Sequence, residues 1–256
     1  MIKIIDSHCH LYYEPYISNL NKVIQDCREE NVFLMLTIGV DYQTSLKNIE
    51  ISKTYDEIYC TVGLHPNNVL EKKDDIEKIL NLTKDNNKII GLGESGIDLY
   101  RLKDNLDDQI NIFEKHIEKS IEKDIPLIIH TRNSDTETLN VLTKYKNKNL
   151  KFLVHCFSSD YIFAKKILDL GGFISFGGML TFKNNEKLRQ VCAKIPIDKI
   201  LVETDSPYLS PHPLRGQTNH PKNTKLVINE LACLKKISLE DASIQTSYNF
   251  KKLFAI

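Results

Sequence analysis

Short apolar runs recur along the chain, separated by longer stretches in which apolar residues fall at spacings of three and four. Eight runs predict strands: Lys3 to His8, Phe33 to Ile38, Ile58 to Val62, Ile89 to Gly93, Leu127 to His130, Phe152 to His155, Phe173 to Phe176 and Ile200 to Thr204. Nearly continuous apolar character over so few residues is the mark of strands buried on both faces. The intervening stretches, among them Tyr16 to Glu30, Leu106 to Lys123 and Tyr161 to Leu170, carry the helical period. Strand and helix alternating eight times predict an α/β fold, a (β/α)8 TIM-type barrel or a somewhat distorted relative. Connection order is not written in the pattern, so a doubly wound open sheet is the alternative. No shift in composition marks a boundary, which predicts a single barrel domain over residues 1–256.

Glycine sharpens the picture. The chain has only 10 in 256 residues, yet Gly39, Gly63, Gly93, Gly96, Gly177 and Gly178 all follow or close a predicted strand. Barrel active sites are built on the loops leaving strand C-termini, where glycine permits a tight turn or close approach to a ligand. Turn-making alone accounts for such glycines equally well.

Charge narrows the function classes. Lys and Arg number 34, and so do Asp and Glu, so the chain is formally neutral. A polybasic nucleic-acid arm or a membrane-surface peptide is excluded on that ground. The N-terminal residues lack a basic segment leading into a cleavable apolar one, and no apolar run reaches about 18 residues. A cytoplasmic location and no membrane partner are expected. The six cysteines contain no C-x-x-C pair and are expected to be reduced thiols.

The chemistry sits at strand ends. His8 and His10 are two apart, so strand alternation turns both to one face, with Asp6 one layer below and Cys9 on the other side as a packing residue. A lone His-x-His pair is a weak signal. It gains weight because Glu94, His130, His155 and Asp205 each stand at the end of another apolar strand. A buried polar head without a partner costs on the order of 2 to 7 kcal/mol. Six such heads expected on one rim call for a shared partner, and a pair of divalent cations suits carboxylates and neutral imidazoles. A metal-free network of histidines and acids is the competing reading.

These residues lie in motifs that follow one another along nearly the whole chain: Asp6-Ser-His-Cys-His-Leu11, Gly63-Leu-His-Pro66, Gly93-Glu-Ser-Gly-Ile-Asp98, Pro126-Leu-Ile-Ile-His-Thr-Arg132, His155-Cys-Phe-Ser158, Phe176-Gly-Gly178 and Glu203-Thr-Asp-Ser-Pro-Tyr-Leu209. Arg215-Gly216 with Asn219 and Pro221, and Asn249 with Phe254, continue the series. In this order they resemble the TatD family of metal-dependent deoxyribonucleases, a branch of the amidohydrolase-like barrel hydrolases. The resemblance implies that His8, His10 and Asp205 hold one metal, that Glu94 bridges, and that His130 and His155 hold the second. Glutamate takes the place of the carboxylated lysine that bridges in many related barrels. Ser95 and Ser159 depart from the family pattern, where an aliphatic residue and a glycine are usual. Neither is a proposed ligand, so substrate-loop shape is what they affect.

A two-ion site, with the ions about 3.5 to 4 Å apart, would activate water against a phosphodiester. Asp205 is the candidate general base or water orienter, and Glu203, of the same parity and one step deeper, a catalytic-site residue acting on a ligand or water. His65 and Arg132 are candidate contacts to the scissile phosphate. Arg215, Lys183, Lys187 and Arg189 are candidates to line a strand path. His116, His212 and His220 are expected to be solvated or capping. The four imidazoles suit Zn, Ni or Fe, whereas carboxylates and phosphate substrates suit Mg or Mn.

The resemblance implies a 3′ to 5′ exonuclease that hydrolyses phosphodiester bonds. Its expected partner is a single-stranded DNA end, bound by a monomer with modest salt dependence. The alternative is a metal-dependent ester or amide hydrolase acting on a small molecule or on aminoacyl-tRNA, since the same ions activate water against carbonyl carbon. A third reading, a barrel kept as a binding module, is disfavoured by the complete ligand set.

Overall fold

The structure is a computed structural model that describes residues 2–84, 86–101 and 104–256. Its strands are β1 (Ile4–Cys9), β2 (Val32–Thr37), β3 (Ile58–Val62), β4 (Ile89–Asp98), β5 (Leu127–Arg132), β6 (Phe152–Val154), β7 (Phe173–Phe176) and β8 (Ile200–Val202). The helices between and after them are α1 (Leu20–Glu29), α2 (Tyr42–Thr54), α3 (Val69–Lys72), α4 (Ile76–Asn81), α5 (Leu106–Lys123), α6 (Asp135–Lys144), α7 (Tyr161–Asp169), α8 (Glu186–Lys194), α9 (Thr224–Lys235) and α10 (Leu239–Phe254). The strands are ordered β1 to β8. This is the (β/α)8 barrel fold, and the doubly wound alternative falls.

Contacts group the chain into two compact units. The first comprises Met1–Thr37, Cys156–Lys165 and Phe173–Ile256, and the second Ile38–His155 with Lys166–Gly172. In the first unit β1 pairs parallel with β2 and β7 with β8, and a bridge joins Cys9 to Ser206 beyond the end of β8. All six residues of β1 are buried, and its start is held by α10, whose Ser243 and Ser247 hydroxyls donate to the Lys3 carbonyl. Asn249 of α10 donates to the Ile197 and Ile200 carbonyls and so fixes the entry to β8.

In the second unit β3, β4, β5 and β6 pair parallel in that order. α2 starts on a capping box in which the Asp41 carboxylate accepts from the Thr44 N–H while Thr44 Oγ1 accepts from the Asp41 N–H. α5 buries Gln109, Ile112, Phe113, His116, Ile117 and Ser120, a stripe at spacings of three, one and three.

Four strand lengths depart from expectation: β5 runs two residues past His130 and β6 stops one short of His155, while the changes in β4 and β8 matter most for the site. β4 runs five residues past Gly93, to Asp98, with every residue buried. Its glycines were expected to end the strand. They instead make room inside it: a Cβ at Gly96 (φ +145°) would lie 2.0 Å from the His130 carbonyl oxygen, and one at Gly93 (φ +118°) would lie 2.5 Å from the Ile128 carbonyl oxygen. β8 is shorter than expected and ends at Val202, so Glu203 to Asp205 belong to the loop that follows.

All six cysteines are free thiols, and Cys9, Cys27, Cys60 and Cys192 are buried. Among the described residues no helix is long and apolar enough to cross a membrane.

Candidate metal centres

In the first unit the sequence-predicted ligands His8, His10 and Asp205 come together. His8 is the fifth residue of β1, and His10 follows its last. Asp205 is brought to them by its backbone N–H, which donates to the His8 carbonyl at 2.9 Å. Its Oδ1 lies 3.3 Å from His10 Nε2 and 3.6 Å from His8 Nε2. Asp205 has φ +55°, a left-handed conformation that aspartate tolerates better than most residues and that is often found at functional positions.

Behind this group Asp6 is wholly buried. Its carboxylate accepts from the Thr204 hydroxyl at 2.6 Å, the Thr204 N–H at 2.9 Å and the His8 N–H at 3.3 Å. Burial pushes the Asp6 carboxyl up to about 8, against the pull of those donors. Glu203 is also fully buried and accepts from the Ser175 hydroxyl. Cys9 takes the packing role expected of it, with its thiol 3.5 Å from the Leu36 carbonyl oxygen.

In the second unit Glu94, His130 and His155 come together, and His65 joins them. One oxygen, Glu94 Oε1, lies 2.8 Å from His130 Nδ1, 2.8 Å from His155 Nε2 and 3.3 Å from His65 Nε2. Burial alone would raise the Glu94 carboxyl, but His155, His65 and His130 outweigh it and hold the group well below the usual carboxylate range. Burial pushes His65 down. His130 moves up despite burial, because Asp98 and Glu94 both favour its charged form.

Asp98 is the residue that sequence reasoning missed as a site residue. Its Oδ2 lies 3.2 Å from His130 Nε2 and accepts from Asn67 Nδ2 at 3.3 Å. Its Oδ1 accepts the N–H groups of Tyr100 and Arg101. Gln109 of α5 grips its backbone on both sides, accepting from the Asp98 N–H and donating to the Asp98 carbonyl. The signal was available: Asp98 shares the parity of Glu94, four residues on, once the strand is allowed to pass through Gly96.

Other expectations are met or corrected. Arg132 is exposed and stacks on Tyr100, 3.9 Å from guanidinium to ring centroid, and Arg215 is exposed and stacks on Phe182 at 3.6 Å. Lys183 and Lys187 are exposed. Arg189, expected to line a strand path, is committed elsewhere: its guanidinium donates to the Leu180, Phe182 and Lys183 carbonyls and to Glu186. His116 is neither solvated nor capping. It is fully buried on the core stripe of α5, its Nε2 accepts from the Leu64 N–H, and its Nδ1 is 2.8 Å from the Ile112 carbonyl. Burial pulls it down to about 4. His212 is exposed, and His220 caps the turn at Pro221–Asn223 by accepting from the Lys222 N–H.

The donor chemistry fits divalent ions. Each unit offers imidazole nitrogens beside a carboxylate, the ligand types of hydrolytic metals. Donor atoms of His65, Glu94 and His130 lie within 4.8 Å of one another. His130 stands between two carboxylates, so a cation could replace the proton at Nδ1 while Nε2–H stays donated to Asp98, the arrangement by which an acid orients a metal-binding histidine.

The chain is 37% identical over 254 residues to an uncharacterized metal-dependent hydrolase of Buchnera aphidicola subsp. Baizongia pistaciae, covering 98% of this chain and 96% of that one. It is 34% identical over 256 residues to the Escherichia coli uncharacterized metal-dependent hydrolase YcfH, covering 99% and 96%. Among solved structures, the TatD homologue YjjV of Escherichia coli superposes with a TM-score of 0.94 at 24% identity, over 99% of this chain and 98% of that one. The sequence model of TatD related DNase matches residues 5–255. With relatives and model both spanning nearly its full length, the chain belongs to the TatD family of metal-dependent hydrolases.

Proposed function

We propose that this metal-dependent hydrolase cleaves phosphodiester bonds of DNA, working as a 3′ to 5′ exonuclease on a single-stranded end, with two divalent ions as cofactors. The family's description as a DNase gives the substrate class. The observation that carries the chemistry is the convergence of three imidazole nitrogens on one oxygen of the buried Glu94 carboxylate, a donor set of the type that holds a hydrolytic metal.

His8, His10 and Asp205 are proposed to hold one ion, and Glu94, His130 and His155 the other. Bound divalent ions supply Lewis acidity and a water acidified toward neutral pH. Asp205 takes the proton of the attacking water on its carboxylate, from a site 3.3 Å from the nearer ring. Asp6 and Thr204 hold the His8 backbone and the start of the Asp205 loop against each other. Asp98 keeps the His130 ring from turning. Glu203, bound to Ser175, has a positioning role from beneath the site. Arg132 and Arg215, each resting on an aromatic ring, are the groups proposed to bind phosphate oxygens. His65 lies close enough to Glu94 to serve either the acid or the phosphate.

The test is a titration of metal-stripped protein with Mg, Mn, Co and Zn, following release of nucleotides from an end-labelled single-stranded oligonucleotide. Release restored by Mn or Mg, with about two ions bound per chain, is expected. No release with any of the four ions would overturn the proposal, and turnover of aminoacyl esters in its place would move the activity to carbonyl substrates.

A further inference from the structure

The His10 ring lies 5.7 Å from the Tyr12 ring and 5.9 Å from the Tyr208 ring, both edge-on, and Tyr208 in turn lies 6.3 Å from Tyr13. Tyr13 is 42% exposed and Tyr208 52%. Single exposed aromatics are commonplace. Two whose rings meet beside a candidate metal ligand are a different matter, because their faces continue the site outward.

Both rings are mounted on turns tied to the ligands. The Tyr13 N–H donates to the His10 carbonyl at 3.1 Å, and the Tyr13 carbonyl accepts the N–H groups of Tyr16 and Ile17. The Tyr208 N–H donates to the Asp205 carbonyl at 2.9 Å, and the Tyr208 carbonyl accepts from Asn219 Nδ2 at 2.7 Å. The Tyr16 hydroxyl donates to the Asn219 carbonyl and so joins the two turns. Rings held in this way lose little freedom when a ligand stacks on them.

Cationic groups sit on the same stretch of chain. Arg215 follows Tyr208 in the loop and rests on Phe182, while the His212 N–H donates to Thr181 Oγ1 and links that loop to the segment bearing exposed Lys183. Flat rings to accept bases, with exposed cations on the same loops to accept phosphates, are the two parts of a single-strand binding surface.

We infer that Tyr13 and Tyr208 form a stacking platform for an unpaired nucleobase of the DNA substrate, next to the ion held by His10 and Asp205. The inference rests on the phosphodiesterase reading above and adds how that substrate is recognised. Stacking is sequence-tolerant, so the platform selects for an unpaired base without selecting which base.

The experiment compares an intact single-stranded dodecamer with one carrying abasic residues at its last two 3′ positions, under Mn-supported turnover. The parent is expected to show a KM about 10- to 100-fold higher for the abasic strand. Tyr208→Ala should raise the intact-strand KM by a similar factor and erase the preference for bases, Tyr13→Ala should do so more weakly, and Tyr208→Phe should restore it. Thermal melting identical to the parent's shows that each variant is folded. An intact-to-abasic ratio that stays at the parent's value in both alanine variants overturns the platform and leaves the phosphodiesterase reading standing. If the parent releases no nucleotide at all, that reading fails, and the platform is then decided by binding of a dodecamer containing 2-aminopurine. Quenching by the parent that Tyr208→Ala loses would support it, and no quenching by the parent would overturn it.

Discussion

Asp205 and Glu94 are both acids among histidines, yet they are held differently. Asp205 sits past the end of a three-residue strand, at a left-handed backbone position, with the His10 and His8 nitrogens at 3.3 and 3.6 Å and a side chain still 15% exposed. Glu94 lies inside a ten-residue strand, wholly enclosed, with two ring nitrogens at 2.8 Å and a third at 3.3 Å. An acid gripped by several imidazoles is part of what holds its surroundings together, and its removal leaves buried charge uncompensated. An acid on a loop, at longer range from its rings, can change partner without disturbing the fold. The comparison teaches that the two carboxylates suit different work: Glu94 is placed to hold its surroundings together as well as an ion, and Asp205 is placed for the reacting role proposed for it.

Substituting the two acids gives the sharpest contrast. Glu94→Gln is expected to lower stability in urea by about 3 to 5 kcal/mol, the usual cost of breaking a buried ionic group by removing one partner, and to abolish turnover. A loss under about 1 kcal/mol would break the comparison.

His116 tests whether the second unit depends on neutral, buried rings around Glu94's strand. Its folded pKa of about 4 lies below the ordinary 6.5, so the unfolded chain takes up the proton first. Stability therefore falls as pH drops from about 6.5 to about 4 and levels off below. The displacement corresponds to roughly 3 kcal/mol at about 1.4 kcal/mol per pKa unit. His116→Gln should flatten that part of the urea-midpoint profile relative to the parent, and parallel profiles would remove the assignment.

Asp205→Asn should cut turnover by about 100-fold or more while the urea midpoint stays within about 0.5 kcal/mol of the parent. If stability fell along with activity, Asp205 would be a structural acid like Glu94. The smallest effect is expected behind the metal. Asp98→Asn should weaken ion binding by about 10- to 100-fold in a chelator competition with metal-stripped protein, since the acid acts only through the His130 ring. Unchanged affinity would detach Asp98 from the centre.

Much of this arrangement could be read from the chain alone. Ile58–Val62, Phe173–Phe176 and Leu106–Lys123 have the bounds that periodicity predicts, because uniform apolar runs and a regular helical stripe leave little choice. Glu94, His130 and His155 stood out because each interrupts an apolar run with one polar head. Asp98 did not, since glycines at 93 and 96 look like turn signals unless it is known that a neighbouring carbonyl needs the vacated space. His116 misled for a chemical reason: a titratable ring was expected at the surface, although its spacing from Ile112 and Phe113 puts it on the buried stripe. Arg189 is a matter of reach, as its carbonyl partners lie six to nine residues away and meet it only once the segment from Gly178 to Thr181 has folded over.

Asn219 donates from Nδ2 to the carbonyls of both Thr204 and Tyr208, and its backbone carbonyl takes the Tyr16 hydroxyl. A single residue thus clasps the excursion that starts at Asp205, the acid proposed to react. Any effort to retarget the protein by grafting a longer or shorter excursion would unfasten that clasp, whereas exchanging the side chains it carries would not, so new specificities are more accessible here by replacement than by insertion.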